Sequence, residues 1–226
     1  MLRVAFPIDT VTDHAACGIQ FGHIDRPTHH NTSWDEAKFE VCAQQWVDMT
    51  DAAGGMALLS DCKYGYKLWD NVLDLCLLRS QNCPAEHGDR GMHTFTYAIL
   101  PHAGDAWNGG VIAEVYRLNT PLIRTEQTGA GGTTLLQPFC VTDGTAIIET
   151  VKKAEDDDDL ILRLYEGRGG TTVSHLKLNG YEPVGLCNLL EEPIGEALQS
   201  DGEGIILPFH TFEIKTIRIR KKGIDQ

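Results

Sequence analysis

Leu160-Ile161-Leu162-Arg163-Leu164-Tyr165 carries leucine at every second position, which is the repeat of a β-strand. The glycine-rich residues 167–170 follow, and a second run with Leu176 and Leu178 comes next. Glycine-rich stretches between two such runs are typical of turns. We therefore predict a β-hairpin with a loose connection here.

The same period of two recurs along the chain, with Gly, Pro, Asn and Asp clusters between short runs. Residues 72–78 are almost continuously apolar, which predicts a central strand covered on both faces. Residues 212–219 change phase at Thr216, which a β-bulge would explain. Two further half-buried strands are predicted. The first covers residues 38–48 and has Phe39, Val41, Ala43 and Val47 on one face. The second covers residues 93–100 and has Phe95, Tyr97 and Ile99 on one face. The pattern predicts a mainly β, sandwich-like fold.

One helix is predicted, over residues 110–119, because apolar residues recur there at helical spacing and Pro121 stops the pattern. The glycine-rich residues 104–110 and 129–132 flank the region and favour a domain boundary near residue 132. We therefore predict two β-domain portions, 1–132 and 133–226, with the helix in the first.

Composition excludes several classes of protein. Of 226 residues 42% are hydrophobic and 23% are charged, which is typical of a globular domain and not of a disordered chain. The 32 acidic and 19 basic residues give a net charge of −13, so we expect neither nucleic acid nor a membrane as partner. The five consecutive acids at 155–159 are predicted to form a solvated turn between two strands.

The seven cysteines are dispersed and follow no C-x-x-C spacing. The apolar run at the N-terminus is also too short for a signal-peptide core. Reduced thiols and a cytoplasmic location are therefore expected.

Three polar clusters, at residues 22–35, 60–66 and 89–93, contain the side chains that could carry chemistry. The histidine spacing of the first departs from that of a cupin-like metal site, so no metal ligand is assigned. The tyrosines, lysine and aspartate of the second suit an array of sugar hydroxyls, although an ordinary β-turn explains them equally well. No nucleophile or phosphate-binding motif is present, so no catalytic residue is assigned.

The residues leave a second class of function open. A self-sufficient sugar-binding or aldose-epimerising β-sandwich would use His23, His93 or His102 with a glutamate to move protons at an anomeric carbon. That function requires a closed sugar pocket with a paired histidine and carboxylate.

The polar clusters and the end of the chain also carry a resemblance. The segments QFGHIDRPTHHNTSWD (20–35), LSDCKYGY (59–66), DRGMHTFTYAILPH (89–102), NLLEEPIGE (188–196) and PFHTFEIKT (208–216) are similar, in this order, to the C-terminal region of family 38 glycoside hydrolases. The family comprises α-mannosidases, and the resemblance is to their cytosolic and bacterial branch.

The resemblance implies a galactose-mutarotase-like supersandwich followed by a C-terminal β-sandwich. It implies that the chain is the non-catalytic part of a retaining α-mannosidase, working with an N-terminal catalytic barrel and a helical domain on a mannoside substrate. The zinc ligands and the aspartate nucleophile of the family lie on that barrel, so no cofactor is assigned to this chain. A homo-oligomer is expected for the full-length enzyme.

In related mannosidases a turn of this region leans over the sugar pocket, and the matching turn here is residues 61–64. The resemblance implies sugar contacts from Asp61, Lys63 and Tyr64, with Lys63 supplying a cation. Two supporting loops are predicted, one with His23 and Arg26 and the other with Arg90, which would pair with a carboxylate.

Overall fold

The computed structural model describes residues 1–81, 83, 88–124, 137–202 and 204–223. The chain divides into two compact units, Met1–Thr125 and Glu126–Gln226. The predicted boundary near residue 132 lies outside the described residues and stays a prediction. Within the described ranges, no helix is both long and apolar enough to cross a membrane.

The first unit contains two antiparallel sheets. The four-stranded sheet has the order β1-β8-β7-β4, and the five-stranded sheet has the order β3-β2-β5-β6-β9. Its elements are β1 Leu2–Pro7, β2 His14–Ile19, β3 Gly22–Pro27, α1 Ser33–Ala37, β4 Val41–Cys42, β5 Trp46–Thr50, β6 Gly55–Ser60, β7 Gly65–Lys67, β8 Val72–Leu78, β9 Tyr97–His102 and α2 Val111–Asn119.

An apolar core joins strands of both sheets in this unit. Val47 and Leu58 of the five-stranded sheet share one buried cluster with Leu73 and Leu75 of the other. Strand β8 is an interior strand as predicted, but only alternate residues are buried, so the prediction that both faces are covered is wrong. The other face carries Asp74, which is ion-paired to Arg3.

Helix α2 covers the outer face of the five-stranded sheet. Its Val111 and Val115 pack against Trp46, Ala57 and Leu59. The helix was predicted from residue 110, but Gly110 is its N-cap and has φ of +73°, a left-handed conformation that glycine adopts at no steric cost. The five-residue helix α1 was not predicted from the sequence; the Thr32 side chain caps its N-terminus.

Residues 38–48 do not form one strand. They form β4 and β5, which belong to different sheets, because the chain turns at Gln45 with φ of +63°. Ala43 and Val47 are buried in the core as predicted, whereas Phe39 is 60% exposed. The alternation over residues 38–48 therefore does not belong to one strand, because it continues across the point where the chain passes from one sheet to the other.

The strand predicted over residues 93–100 begins later, at Tyr97. Ile99 pairs with Leu58 and so lies on the core side, but β9 is an edge strand and Ile99 remains 41% exposed. The alternate residues Ala98 and Leu100 pack with the cluster under α2. Both faces of β9 are thus partly covered.

The second unit is also built of two antiparallel sheets, with the orders β10-β13-β16-β15 and β11-β12-β17-β14. Its strands are β10 Phe139–Asp143, β11 Ala146–Lys153, β12 Leu160–Glu166, β13 Thr172–Leu178, β14 Tyr181–Cys187, β15 Gln199–Ser200, β16 Ile205–Phe209 and β17 Ile214–Lys221. Leu162, Leu164 and Ile217 of one sheet share a buried core with Leu176 and Leu207 of the other. The mainly β prediction is confirmed.

Strands β12 and β13 do not pair as a hairpin. Strand β12 pairs with β11 and β17, and β13 pairs with β10 and β16, so the connection crosses from one sheet to the other. The carboxylate of the buried Glu166 holds this crossover. It accepts hydrogen bonds from the N–H groups of Arg168, Gly169, Gly170 and Phe212 and from the Thr145 hydroxyl, at 2.8, 2.8, 3.0, 3.1 and 2.8 Å.

The bulge predicted at Thr216 is wrong as well. The register of β17 with β12 is regular through Thr216, and the irregularity lies in the neighbouring strand β14, between Pro183 and Gly185. The apparent change of phase comes from Lys215, which pairs with the core residue Leu164 and lies with its ammonium 5.7 Å from the Phe209 ring centroid.

The acidic run at 155–159 connects β11 to β12 as predicted, but it is not simply solvated. Asp159 is 5% exposed and accepts hydrogen bonds from Arg218 Nε at 3.0 Å and from Arg220 Nε at 2.8 Å. The Arg220 guanidinium first, and Arg218 with it, lowers the pKa of Asp159 to about 2 against the opposing effect of burial. The run is therefore a structural ion-pair network.

Candidate functional site

The turn between β6 and β7 contains the three residues predicted to contact sugar. Ser60, which is fully buried, fixes its start: the Ser60 hydroxyl accepts a hydrogen bond from Lys63 N–H at 3.0 Å. The Tyr66 hydroxyl donates to the Lys63 carbonyl at 3.4 Å. Residues 61–64 therefore form a braced turn, called here the Lys63 turn.

Asp61 ties this turn to the third polar cluster. Its N–H donates to the Thr96 carbonyl at 3.1 Å, and its carboxylate accepts from Thr96 N–H at 2.8 Å. Hydrogen bonds from the Cys62 thiol first, and from Thr96, lower the pKa of Asp61. Asp61 thus acts within the structure as a brace between two segments.

Lys63 and Tyr64 line one open groove of about 530 Å³. The Lys63 ammonium lies 4.6 Å from the Phe95 ring centroid, and Tyr64 is 52% exposed. Asp89 and His93 of the third cluster line the same groove. The fold therefore brings two of the predicted sugar contacts together with the third cluster.

Charged side chains border this groove. Glu40 lines it and is ion-paired to both Arg3 and Arg79. The predicted pairing of Arg90 with a carboxylate is not among the ion pairs found in the described residues. In this cluster it is instead the Asp89 carboxylate that joins two segments of the chain, because it accepts a hydrogen bond from Ser80 N–H at 2.9 Å.

His23 and Arg26 of the first cluster were predicted in a loop, but both lie on strand β3. Arg26 donates to the Cys42 carbonyl at 3.0 Å, so it connects the five-stranded sheet to β4 of the other sheet. Cys42 itself lines the groove. The His23 ring lies 6.0 Å from that of Trp46, between centroids. These contacts are compatible with the predicted supporting role.

The histidines of the alternative function have different environments. His93 is exposed, and its Nε2 lies 2.9 Å from the Asp89 carbonyl oxygen. His102 Nε2 lies 2.7 Å from Asp48 Oδ1, and each side chain is 3% exposed. The carboxylate beside His102 is thus an aspartate and not the predicted glutamate, and the pair is buried under Gly109, where a Cβ would meet His102 Nδ1 at 2.2 Å.

Sequence reasoning missed the Asp48 partner of His102. Their positions differ by 54 residues, and no spacing rule links them. It also missed a groove of about 480 Å³ lined by Thr10, Asp70 and Asn71 among others, which only the assembled loops create.

The described residues do not fit a zinc ion. Among them, no three His, Cys, Asp or Glu side chains converge as metal ligands would. The seven cysteines are all free thiols.

Comparisons with known families agree with the division into two units. The family described as "Glycosyl hydrolases family 38 C-terminal domain" matches residues 1–87. The family described as "Glycosyl hydrolases family 38 C-terminal beta sandwich domain" matches residues 145–217. The chain belongs to glycoside hydrolase family 38. Both matches are to C-terminal domains of the family, as the resemblance of the polar clusters predicted.

Two similar proteins are both named alpha-mannosidases. The chain is 40% identical over 223 residues to Alpha-mannosidase 2C1 of Homo sapiens, covering 96% of this chain and 21% of that protein. It is 42% identical over 207 residues to Alpha-mannosidase G of Dictyostelium discoideum, covering 88% of this chain and 19% of that protein. The chain therefore spans about a fifth of the length of these relatives.

A solved structure supports the fold. The crystal structure of an alpha-mannosidase from Enterococcus faecalis V583 superposes with a TM-score of 0.80 at 21% identity, covering 96% of this chain and 25% of that one. At this identity the likeness concerns the fold, and it extends over both units.

Proposed function

We propose that this chain is the non-catalytic C-terminal β-region of a retaining α-mannosidase that hydrolyses terminal α-mannosides. The observation that carries the proposal is the alignment with alpha-mannosidases over 96% of the chain, together with the match of both units to C-terminal domains of family 38. In this proposal the partner is an N-terminal part with a catalytic barrel and a helical domain. The assembled enzyme is a cytoplasmic homo-oligomer, and the seven free thiols support that location.

The chemistry of hydrolysis belongs to the N-terminal part in this proposal. Zinc bound there would hold and polarise the substrate, beside an aspartate nucleophile. The residues of this chain would instead support that part and limit the access of water to it. Their bonding is consistent with this role, because Asp61 and Arg26 are engaged in holding segments together.

The Lys63 turn would form one lip of the sugar site. The backbone N–H and carbonyl of Lys63 and the carbonyl of Tyr64 are hydrogen-bonded without a substrate, so little backbone entropy would be lost on binding. The exposed Tyr64 ring offers an apolar face to a sugar ring and a hydroxyl to its hydroxyl groups. The Lys63 ammonium offers hydrogen-bond donors from the same groove.

The proposal is tested by release of nitrophenol from a nitrophenyl α-mannoside with zinc present. We expect no turnover by the chain alone, and turnover when the chain is co-expressed with the remaining part of Alpha-mannosidase 2C1. Turnover by the chain alone would refute the proposal, as would no turnover by the co-expressed pair.

The lip is tested in the same co-expressed enzyme. Lys63→Ala and Tyr64→Phe should each lower kcat/KM about tenfold, the effect of one lost hydrogen bond of about 1.4 kcal/mol, with zinc content unchanged. Lys177→Ala, which removes an exposed lysine of β13, is the control and should leave kcat/KM unaltered. Wild-type kinetics in both lip variants would exclude the lip.

A further inference from the structure

Residues 188–192, called here the Leu189–Leu190 loop, form a tightly organised turn after β14. The Asn188 side chain lies at its centre: its Oδ1 accepts from the N–H groups of Leu190 and Glu192 at 2.9 and 3.0 Å. Its Nδ2 donates to the Glu192 carboxylate at 2.8 Å, and Asn188 N–H donates to the Glu192 carbonyl at 2.9 Å. The loop conformation is therefore set from within.

The loop is also fastened to its own unit. The Glu191 side chain is 8% exposed and accepts from Lys152 Nζ at 2.7 Å and from Glu155 N–H at 2.9 Å. The Arg163 guanidinium donates to the Leu189 carbonyl at 3.4 Å. Glu191 has φ of +69°, a strained conformation for a residue with a side chain, which these bonds maintain.

This rigid loop presents two leucines to solvent. Leu189 is 60% exposed and Leu190 is 78% exposed, and neither belongs to a core cluster of the described residues. Adjacent exposed leucines on a loop that is ordered in advance are typical of an anchor in a protein interface. They are too small to make an interface alone, so further surface must surround them.

The charge around the leucines selects the partner. The turn at 154–159 is bonded to Glu191, and it exposes Glu155, Asp156 and Asp158 at 80%, 69% and 99% of their side chains, although each is ion-paired within this unit. The five acids of the turn and Glu191 outnumber their four basic partners, Lys152, Lys153, Arg218 and Arg220, so the patch keeps a net negative charge. A second copy of this chain would bring two such negative patches to face each other, which is unfavourable. The partner must therefore offer an apolar pocket with a basic rim.

We propose that the Leu189–Leu190 loop inserts into an apolar pocket with a Lys/Arg rim on the part of the α-mannosidase that lies outside this chain. The inference rests on the proposed function, since the relatives are about five times longer than the matched region. The loop would anchor the β-sandwich to the rest of the enzyme.

The test is co-expression of the 226-residue chain with a tagged Alpha-mannosidase 2C1 that lacks its matched region, followed by capture on the tag. The wild-type chain should be captured, and the double variant Leu189→Asp/Leu190→Asp should bind at least tenfold more weakly. Val173→Asp, which replaces an apolar residue 47% exposed on β13 of the other sheet, is the matched control and should bind like wild type. Raising NaCl from about 0.05 to about 0.5 M should weaken capture, because salt screens the acidic turn.

Each outcome has one meaning. Capture of the double variant at the wild-type level would overturn the docking inference and leave the proposed function in place. Failure to capture even the wild-type chain would refute the proposed function, and the inference with it. A dimer of the isolated chain that the double variant dissociates would make a second copy the occupant and overturn the inference. A melting curve of the isolated double variant, which should match wild type since both leucines are exposed, separates lost docking from lost folding.

Discussion

Glu166→Gln should destabilise the second unit severely, although the change alters one atom of the side chain. The buried carboxylate accepts five hydrogen bonds, two at Oε1 and three at Oε2. An amide has only one oxygen, so its NH2 group must face either two or three donors. Four of the five donors are backbone N–H groups, which cannot accept a hydrogen bond. Only the Thr145 hydroxyl can change from donor to acceptor.

The smallest loss can be worked out from this geometry. If the NH2 group faces the Oε1 side, the Thr145 hydroxyl can rotate and accept, but Arg168 N–H loses this acceptor, at a cost of about 1–3 kcal/mol. The three remaining bonds change from charged to neutral, each weaker by about 1 kcal/mol. The sum is about 4–6 kcal/mol. With a urea slope of about 2 kcal/mol/M, the midpoint should fall by about 2–3 M.

The pH dependence provides a second readout. Burial raises the pKa of Glu166, but the hydrogen bonds from Phe212, Thr145 and the turn outweigh it, so the pKa is lowered. A lowered pKa stabilises the fold above the unfolded value of about 4.3 and loses that contribution as pH falls through the folded value. The difference between wild type and Glu166→Gln should therefore be full at pH 7 and shrink below about pH 4.

The assay must report on the second unit alone. All four tryptophans lie in the first 125 residues, so their fluorescence follows the first unit. Urea unfolding of the second unit is therefore followed by hydrogen exchange of β12 and β17, with tryptophan fluorescence as the internal reference. Glu149→Gln, an exposed glutamate on β11, is the matched control and should change stability by less than about 0.5 kcal/mol. A Glu166→Gln chain within 1 kcal/mol of wild type would refute the account of the crossover.

Three further outcomes are expected. Asp159→Asn should reduce the acid sensitivity of the second unit, while the Glu166 contribution remains: in wild type the lowered pKa of Asp159 stabilises the fold above about pH 4 and this contribution is lost toward pH 2, so the stability difference between wild type and variant, followed by circular dichroism, should disappear toward pH 2. His102→Ala should destabilise the first unit by about 1–3 kcal/mol, since the buried Asp48 carboxylate loses its hydrogen-bond partner His102 and keeps only that from the Thr50 hydroxyl; urea midpoints by tryptophan fluorescence measure this, and a wild-type midpoint would contradict it. Gly144→Ala should cost more than Gly180→Ala in thermal melting, because both glycines have positive φ but only at Gly144 would a Cβ meet other atoms, the nearest at 2.3 Å; equal losses would show that backbone strain alone matters.

Local patterns predicted the structure of two segments correctly, helix α2 and strand β12. The spacing of apolar residues in α2 reports a helix with one buried face, and that face is the one that packs on the five-stranded sheet. Alternation in residues 160–165 correctly places Leu162 and Leu164 in the core of the second unit. Long motifs identify the family for the same reason, because a motif is read directly from consecutive residues.

The candidate site was predicted only in part. The composition of residues 60–66 indicated an exposed turn, and Lys63 and Tyr64 do line a groove. The bonds of Asp61 to Thr96 join segments 35 positions apart, and no sequence rule predicts which backbone group a carboxylate will meet. The sugar contacts themselves stay a prediction.

By itself the sequence determined the mainly β class, the place of the long helix, the inward-facing leucines of β12, and the family. Only the tertiary structure decided which strands share a sheet. Alternation of apolar residues shows that a strand has two different faces, but it does not show which strand lies beside it. The sequence therefore could not predict that β12 pairs with β17 and not with β13. The same holds for Asp159 with Arg220, which are 61 positions apart: ion pairs form through space, and only the fold brings such groups within reach.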